Sequence, residues 1–554
     1  MKFLRSSQNS RGPLAANKST AVNGVAPVFE ESSLGREFLQ FWALVASLVF
    51  RPYFYLLIYI VVLYLRPQEY IDFFIGKPLV PVTLITATLL WLMAEKKRFD
   101  APQHYLMIGL TASIFVSVLL TGWLMGALNA LTDFLPTLLL FYIVSTSTVS
   151  LKRLQGLAIV MTAVCVVIAF HGMGQIDDEF GVGWTGAELI DDRITYLGFL
   201  NDPNDLSMAF LMVLPLTLYI AQVGRFWVLR MAAYASAAVI LYGVFLCNSR
   251  GSLLGIAAML FAYAVRRFGW LRSTVVAPML LLPLLWFAPS RVSEMSADEE
   301  SAAGRWDAWF EGFEMVKSHP LFGVGKGLFT DHNGLTAHNS FVLSFAETGF
   351  VGYFFWFGIL GLTTLMLFRL MQPIEPGSLP VGNFANFGSA PDAAPDAAPA
   401  ANVPWTADVA PGQANHLNLP AHAELVERTD WHAEAANHSS SGTDIDGATS
   451  ESNSNAINIV AEQGPNWDDM QIAARSLMYS LIGTMTAAFF LSRSFVVFLY
   501  ILFGLIIGIF QMSRARWPDL APVRLGDVLG RLLLAMVGSV IFLWCLTRVL
   551  LSFS

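Results

Sequence analysis

Apolar runs of bilayer length recur along almost the whole chain, and no other feature restricts its fold as tightly. They fall near 38–65, 79–94, 103–121, 131–149, 153–171, 204–222, 228–247, 251–265 and 273–288, then near 340–368, 475–491, 494–511 and 529–551. About 20 predominantly apolar residues cross a bilayer as a helix, and only helices or closed barrels satisfy their backbone groups there. The expected fold is therefore all-α, a polytopic integral membrane protein with about 12 to 13 transmembrane helices. Composition agrees, since 55% of the 554 residues are hydrophobic and 13% are charged, against about 25% charged in soluble domains. The net charge of −8 argues against nucleic acid as a partner, which calls for basic patches. Cys165, Cys247 and Cys545 lie inside apolar runs with neither metal-ligand nor disulfide spacing. The polar first 37 residues lack the apolar core and small-residue site of a cleaved signal.

Lysine and arginine near span ends set orientation. Lys96 to Arg98, Lys152 with Arg153, Arg225 with Arg230, Arg266 with Arg267 and Arg272, and Arg514 with Arg516 occupy alternate inter-span segments. One threading puts all of them in the cytoplasm and leaves 66–78, 122–130, 172–203, 248–250, 289–339 and 492–494 outside. With the N-terminal tail inside, 38–65 crosses once, and Arg51-Pro52 either kinks one long helix or separates two short ones. The domain order is a cytoplasmic tail 1–37, transmembrane helices over 38–288, an outside loop 289–339, a helix over 340–368, a cytoplasmic insert 369–474 and terminal helices over 475–554. The insert contains a Pro-Asp-Ala-Ala near-repeat over 391–399, then Ser, Asn and His-rich sequence. Such composition buries too little apolar surface to offset chain entropy, so disorder is expected. His416, His422, His432 and His438 read there as solvated residues.

Orientation accounts for the cytoplasmic cations but not for Arg193, Arg250, Arg305 and Arg493, which the threading places outside. Each alone could snorkel or pair with a carboxylate. Several together beside the largest outside loop point to an anion site, with Arg493 its weakest member. In that loop Trp306, Trp309, Phe310, Phe313 and Val316 recur at helical spacing, which predicts an interfacial helix opened by Arg305. A glycine-rich turn follows over 320–327. It lacks the Gly-Lys-Ser/Thr ending of a nucleotide loop. His338 then precedes a span whose start Asn339 or Ser340 can cap, at a helix end suited to phosphate oxygens. Glu347 lies seven residues into that span, about 10 Å deep, where a carboxylate needs a partner. Gly349 and Gly352 predict a small-residue packing face.

Three motifs in order now carry a family resemblance: Arg193, Tyr196 and Gly198 leading to Asn201-Asp202-Pro203-Asn204; Asn248-Ser249-Arg250-Gly251; and Gly304-Arg305 with Trp309, through Pro320, Gly323 and Gly325 to His338-Asn339, with Gly349-x-x-Gly352 nine residues on. In these motifs the chain resembles the O-antigen ligase and O-antigen polymerase superfamily of bacterial inner-membrane glycan transferases. Tyr353, where such ligases usually show threonine, and the insert depart from the pattern, and ligase and polymerase both stay open. The resemblance implies transfer of a polyprenyl-diphosphate-linked glycan to an acceptor hydroxyl at the periplasmic face. The acceptor would be lipid A-core, another glycan or a protein hydroxyl. Arg193, Arg250 and Arg305 would hold the diphosphate, which arginine contacts at two points. His338 would take the acceptor proton, and Glu347 would orient or pair within the cluster. No cofactor is expected, and no metal. A lipid-linked glycan flippase or other transporter is the rival class, and a non-catalytic scaffold a third.

Overall fold

The computed structural model describes residues 51–93, 97–286, 299–373 and 466–552. Residues 38–50 of the first expected span, Lys96, part of the outside loop and nearly all of the insert lie outside these. The described residues are helical: α1 (Pro52–Leu65), α2 (Leu79–Met93), α3 (Pro102–Leu119), α4 (Leu124–Ser147), α5 (Leu151–Asp177), α6 (Pro203–Val223), α7 (Trp227–Leu246), α8 (Arg250–Phe268), α9 (Trp270–Trp286), α10 (Glu299–Ser318), α11 (Phe329–Asn333), α12 (Ser340–Leu370), α13 (Trp467–Phe489), α14 (Val497–Arg516) and α15 (Leu525–Leu551). Nine of them, α3 to α8 with α12, α14 and α15, are long and apolar enough to cross a membrane. The protein is a multi-pass, all-helical membrane protein. Helices α1 and α2 are apolar but shorter, and α13 carries Asp468, Asp469 and Arg475 in its first turns.

Local chemistry sets several boundaries. Arg51 is extended and Pro52 takes the first helical position, where a missing amide costs nothing. Arg51-Pro52 is thus a helix start, and the chain leaves α1 through Arg66 in the left-handed region. Helix α4 begins at Leu124, so most of 122–130 is helix and the turn between α3 and α4 is only a few residues long. Asp202 caps α6 by accepting from the Asn204 amide at 2.7 Å, with Pro203 following in the first turn.

Helices α6 and α14 form the centre, each with 78% of its most apolar window buried in protein, against 22% for α15 at the periphery. Helix α6 packs on α7 and α13, α14 on α4, and α12 on α3. Loops of the two ends sort by contact. At one end, the site end, the Tyr196 hydroxyl donates to the Leu65 carbonyl (3.0 Å), the Lys326 amide to Ser117 Oγ (3.2 Å) and Thr336 Oγ1 to Ser492 Oγ (2.6 Å). At the other, the basic end, Arg369 donates to the carbonyls of Ala521 and Pro522, and Gln511 to that of Arg98.

Candidate active site

The site is built on an interruption in α12. Gly349 has φ 63° and ψ −166°, a backbone region essentially restricted to glycine, and here the helix breaks into two halves. The strap formed by residues 320–327 fills the gap. Val324 and Gly325 amides donate to the carbonyls of Ala346 and Glu347 at 3.0 Å each, while Phe350 and Val351 amides donate to Pro320 (2.9 Å) and Leu321 (3.1 Å). Non-helical backbone at membrane depth persists only where protein or an aqueous cavity satisfies it, and these four bonds do so. A Cβ on Gly349 would stand 2.5 Å from the Leu321 carbonyl, and one on Gly323 would collide with the Ala346 oxygen. Of the expected packing pair, Gly349 is therefore the break itself. Gly352 does admit a neighbour, Ser113 of α3.

The turn 490–496 between α13 and α14 locks onto the start of α12. Ser340 Oγ donates to the Leu491 carbonyl (2.6 Å) and accepts from the Arg493 amide (2.9 Å), and Ser494 Oγ donates to the Ser340 carbonyl (2.5 Å). Arg493 is thereby held by its backbone. Its side chain donates through Nε to Asp205 and through a terminal nitrogen to Asp202 Oδ2 at 3.4 Å. Burial works against the cation, yet Asp205 and then Asp202 outweigh it and hold Arg493 above the usual arginine range.

Asp205, Lys326, Glu347 and Arg493 line one cavity of about 440 Å³, walled by Phe199, Leu343 and Phe495. Glu347 is buried. The backbone of Gly327 and of Phe329 and the charge of Lys326 all favour its carboxylate form. The cavity thus holds two carboxylates, two cations and, through the strap, a row of oriented amides.

Of the residues singled out from sequence, Glu347 lines this cavity directly. The groups that bear on it are Lys326 and the backbone of Gly327 and Phe329, not the expected arginines. His338 stands beside it, half-buried with φ 47°. Burial, then the charges of Arg305 and Arg493, hold its imidazole below the usual histidine range against the pull of Asp202. Arg305 does not open its helix, because α10 starts at Glu299 and places it in the second turn. Arg193 donates to Asp191 Oδ2 at 3.1 Å, and its Nε is buried without a partner. It lies near the α7–α8 turn, where its charge and that of Asp202 both bear on Cys247. Arg250 is the exposed first residue of α8, and a Cβ on the adjacent Gly251 would meet Phe490 of the Arg493 turn at 3.4 Å.

Asn339, not Ser340, caps α12, with Oδ1 accepting from the amides of Phe341 (2.9 Å) and Val342 (3.1 Å). Those two amides are therefore occupied, which weakens the helix end as a phosphate cradle. Helix α10 turns its aromatic face to protein. Trp309 is buried at 5.7 Å from Phe489, and Phe313 meets Phe345 at 6.2 Å. Tyr353 points away from the cavity and shares a 2.9 Å hydrogen bond with Ser539 of α15, so its departure from the family pattern bears on helix packing. Sequence reasoning missed Asp205 and Lys326, although both lie in segments it quoted, and gave Arg493 the least weight.

Residues 235–357 match the family model described as O-antigen ligase. The comparison with curated proteins gives no match, and neither does the comparison with solved structures. The matched segment runs from within α7 through Arg250, Arg305, the strap, His338 and Glu347 into the second half of α12. It leaves Asp202, Asp205 and Arg493 outside. The segment that breaks α12 and contributes to the wall of the cavity is thus similar to the O-antigen ligase family.

Proposed function

We propose that the protein transfers a glycan from a polyprenyl-diphosphate donor to an acceptor hydroxyl, at the periplasmic face of a bacterial inner membrane. The observation that carries this reading is the convergence of His338, Arg305 and Arg493 beside a cavity floored by Glu347. Arg305, Arg250 and Arg193 hold the diphosphate at headgroup depth, where guanidinium groups contact phosphate at two points. Arg493 is a positioning residue, because its side chain is committed to Asp202 and Asp205. The acceptor oxygen attacks the anomeric carbon as the bond from that carbon to the phosphate oxygen breaks. Its proton passes to His338, whose depressed pKa keeps a lone pair available at neutral pH. The leaving diphosphate takes the bonding electrons, and the arginines stabilise its growing charge. Glu347, fixed by the strap amides, orients the incoming sugar or acceptor from the cavity floor.

Charge stabilisation in this scheme belongs to guanidinium groups, so transfer is expected to proceed in chelator. The test uses purified protein in detergent with a radiolabelled lipid-linked glycan, measuring donor binding and transfer separately. His338→Ala binds donor and fails to transfer. Normal transfer by that variant overturns the role of His338, and inhibition by chelator overturns the metal-independent scheme. A repeat-unit polymerase shares the donor half of this chemistry. Offering lipid A-core or a second lipid-linked repeat as acceptor separates the two. Side is tested by cysteine labelling in cells: a thiol at Leu335 reacts with an impermeant reagent and one at Asp519 does not.

A further inference from the structure

A second cleft, of about 480 Å³, opens at the basic end between α6, α8 and α13 and shares no lining residue with the first. Its wall is apolar, with Leu218 and Met259 prominent, and its mouth carries Arg266, Arg267 and Arg475 with Tyr479. Met259 and Arg266 are seven residues apart on α8, so the apolar wall continues roughly 10 Å from the cationic mouth into the bundle. That is the profile of an acyl chain beneath a headgroup.

The mouth is short of negative charge. Arg266 and Arg475 lie within each other's electrostatic reach and repel, and both bear on Tyr479. No carboxylate among the described residues lines the cleft. Asp468 bears on Arg475 but stands outside it. Arg475 spends its Nε on the Gln471 carbonyl at 3.0 Å. Like charges gathered at the rim of a low-dielectric groove call for an anion that bridges them, and phosphate matches guanidinium geometry. Basic pockets between transmembrane helices recognise anionic lipid headgroups on these terms.

We propose that this cleft is a site for an anionic phospholipid of the leaflet at the basic end, its phosphate bridging Arg266 and Arg475 and one acyl chain lying along Leu218 and Met259. The bound lipid clamps α6 to α13, the two helices whose far ends carry Asp205 and the Arg493 turn.

The experiment uses full-length protein purified in mild detergent, with native mass spectrometry of retained lipid and competition between phosphatidylglycerol and phosphatidylcholine. Wild type retains phosphatidylglycerol preferentially. Arg266→Gln and Arg475→Gln each lower that preference about fivefold, as expected for one cation at a lipid headgroup. The lysine variants Arg266→Lys and Arg475→Lys keep part of it. Leu218→Trp, which fills the groove and spares the arginines, also lowers retention, while monodispersity on size exclusion reports folding independently. Equal retention of the two lipids, or unchanged preference in the glutamine variants, overturns the site. Displacement by glycerol phosphate as effective as by the lipid removes the acyl groove, and selective displacement by a polyprenyl phosphate makes it a carrier site instead. Either result overturns the phospholipid assignment.

Discussion

Both clefts are framed by cations, yet they are built on opposite principles. In the site-end cavity both lining cations have an acid within reach: Arg493 has Asp205 and Asp202, and Lys326 has Glu347. At the basic end Arg266, Arg267 and Arg475 line a cleft in which no acid is found among the described residues. A matched set holds its geometry before any ligand arrives, which is what a reaction that stabilises changing charge requires. An unmatched set is completed by its ligand, which suits a lipid that stays bound. Charge balance, more than the number of arginines, is what distinguishes the two clefts.

The comparison breaks most severely if Arg493 proves dispensable. Asp205 is buried while Arg493 is half-buried, so removing the cation strands a buried carboxylate, at a cost below the roughly 3–5 kcal/mol of a fully buried pair. Arg493→Ala should lower the thermal midpoint strongly and abolish transfer, whereas Arg475→Ala should change stability little in lipid-free detergent. Similar midpoints for the two variants would show that the site-end pairing does not hold the fold. Gly349→Ala belongs to the same class. It forces a Cβ into the Leu321 carbonyl and an L residue into a glycine region, a strain of about 1–3 kcal/mol before the clash is counted. Transfer should be lost, while Gly530→Ala in α15, whose Cβ meets nothing within 4 Å, costs little.

Next in size is the proton. Removing a general base typically costs about 10²–10⁴ in rate, and His338→Ala should fall in that range with donor affinity unchanged. Because burial, Arg305 and Arg493 lower the His338 pKa from 6.5, the imidazole stays neutral, and competent as a base, to a lower pH than an ordinary histidine. The acid limb of the rate should therefore lie below the ordinary histidine range. Arg305→Gln removes one of the cations that depress the pKa. The acid limb should move to higher pH in that variant, apart from any loss of donor binding. A limb that does not move when Arg305 is neutralised would place the titrating group elsewhere.

The sequence made the membrane architecture readable because a span is a local property, and an apolar run of sufficient length has few other fates. Where spans were misplaced, as at the start of α4, the helix simply continues through Gly126 and Asn129 into residues too polar for an apolar window. The site was less readable because its decisive contacts are non-local. Arg493 meets Asp205 across 288 residues, and nothing near Leu491 announces an acid partner. Gly349-x-x-Gly352 reads as a packing face, and only the strap's backbone bonds show that Gly349 is a break. His338 and Glu347 could be singled out because both sit at or just inside the start of a span, a position that sequence alone marks.

The smallest effect is expected from the insert, whose residues 374–465 lie outside the described structure. Its two ends are already joined at the basic end. The Trp467 indole donates to the Gln372 carbonyl at 3.2 Å, and Gln471 Nε2 donates to the same carbonyl at 3.2 Å. Trp467 also stands edge-on to Trp517 at 5.0 Å, tying α13 to the end of α14. A chain segment closed at its base contributes mainly loop entropy, and shortening it changes that by about 0.6 kcal/mol per halving of length. Replacing residues 380–460 with a short Gly-Ser linker should therefore leave donor binding and transfer near wild type. The same variant sharpens the contrast between the two clefts, because the insert carries acids that the basic-end cleft lacks. Unchanged phosphatidylglycerol retention after deletion means that the arginines at that mouth are matched by lipid. Increased retention means that acids of the insert compete with lipid for Arg266 and Arg475, which would give the basic end its own acid partners and remove the difference from the site end.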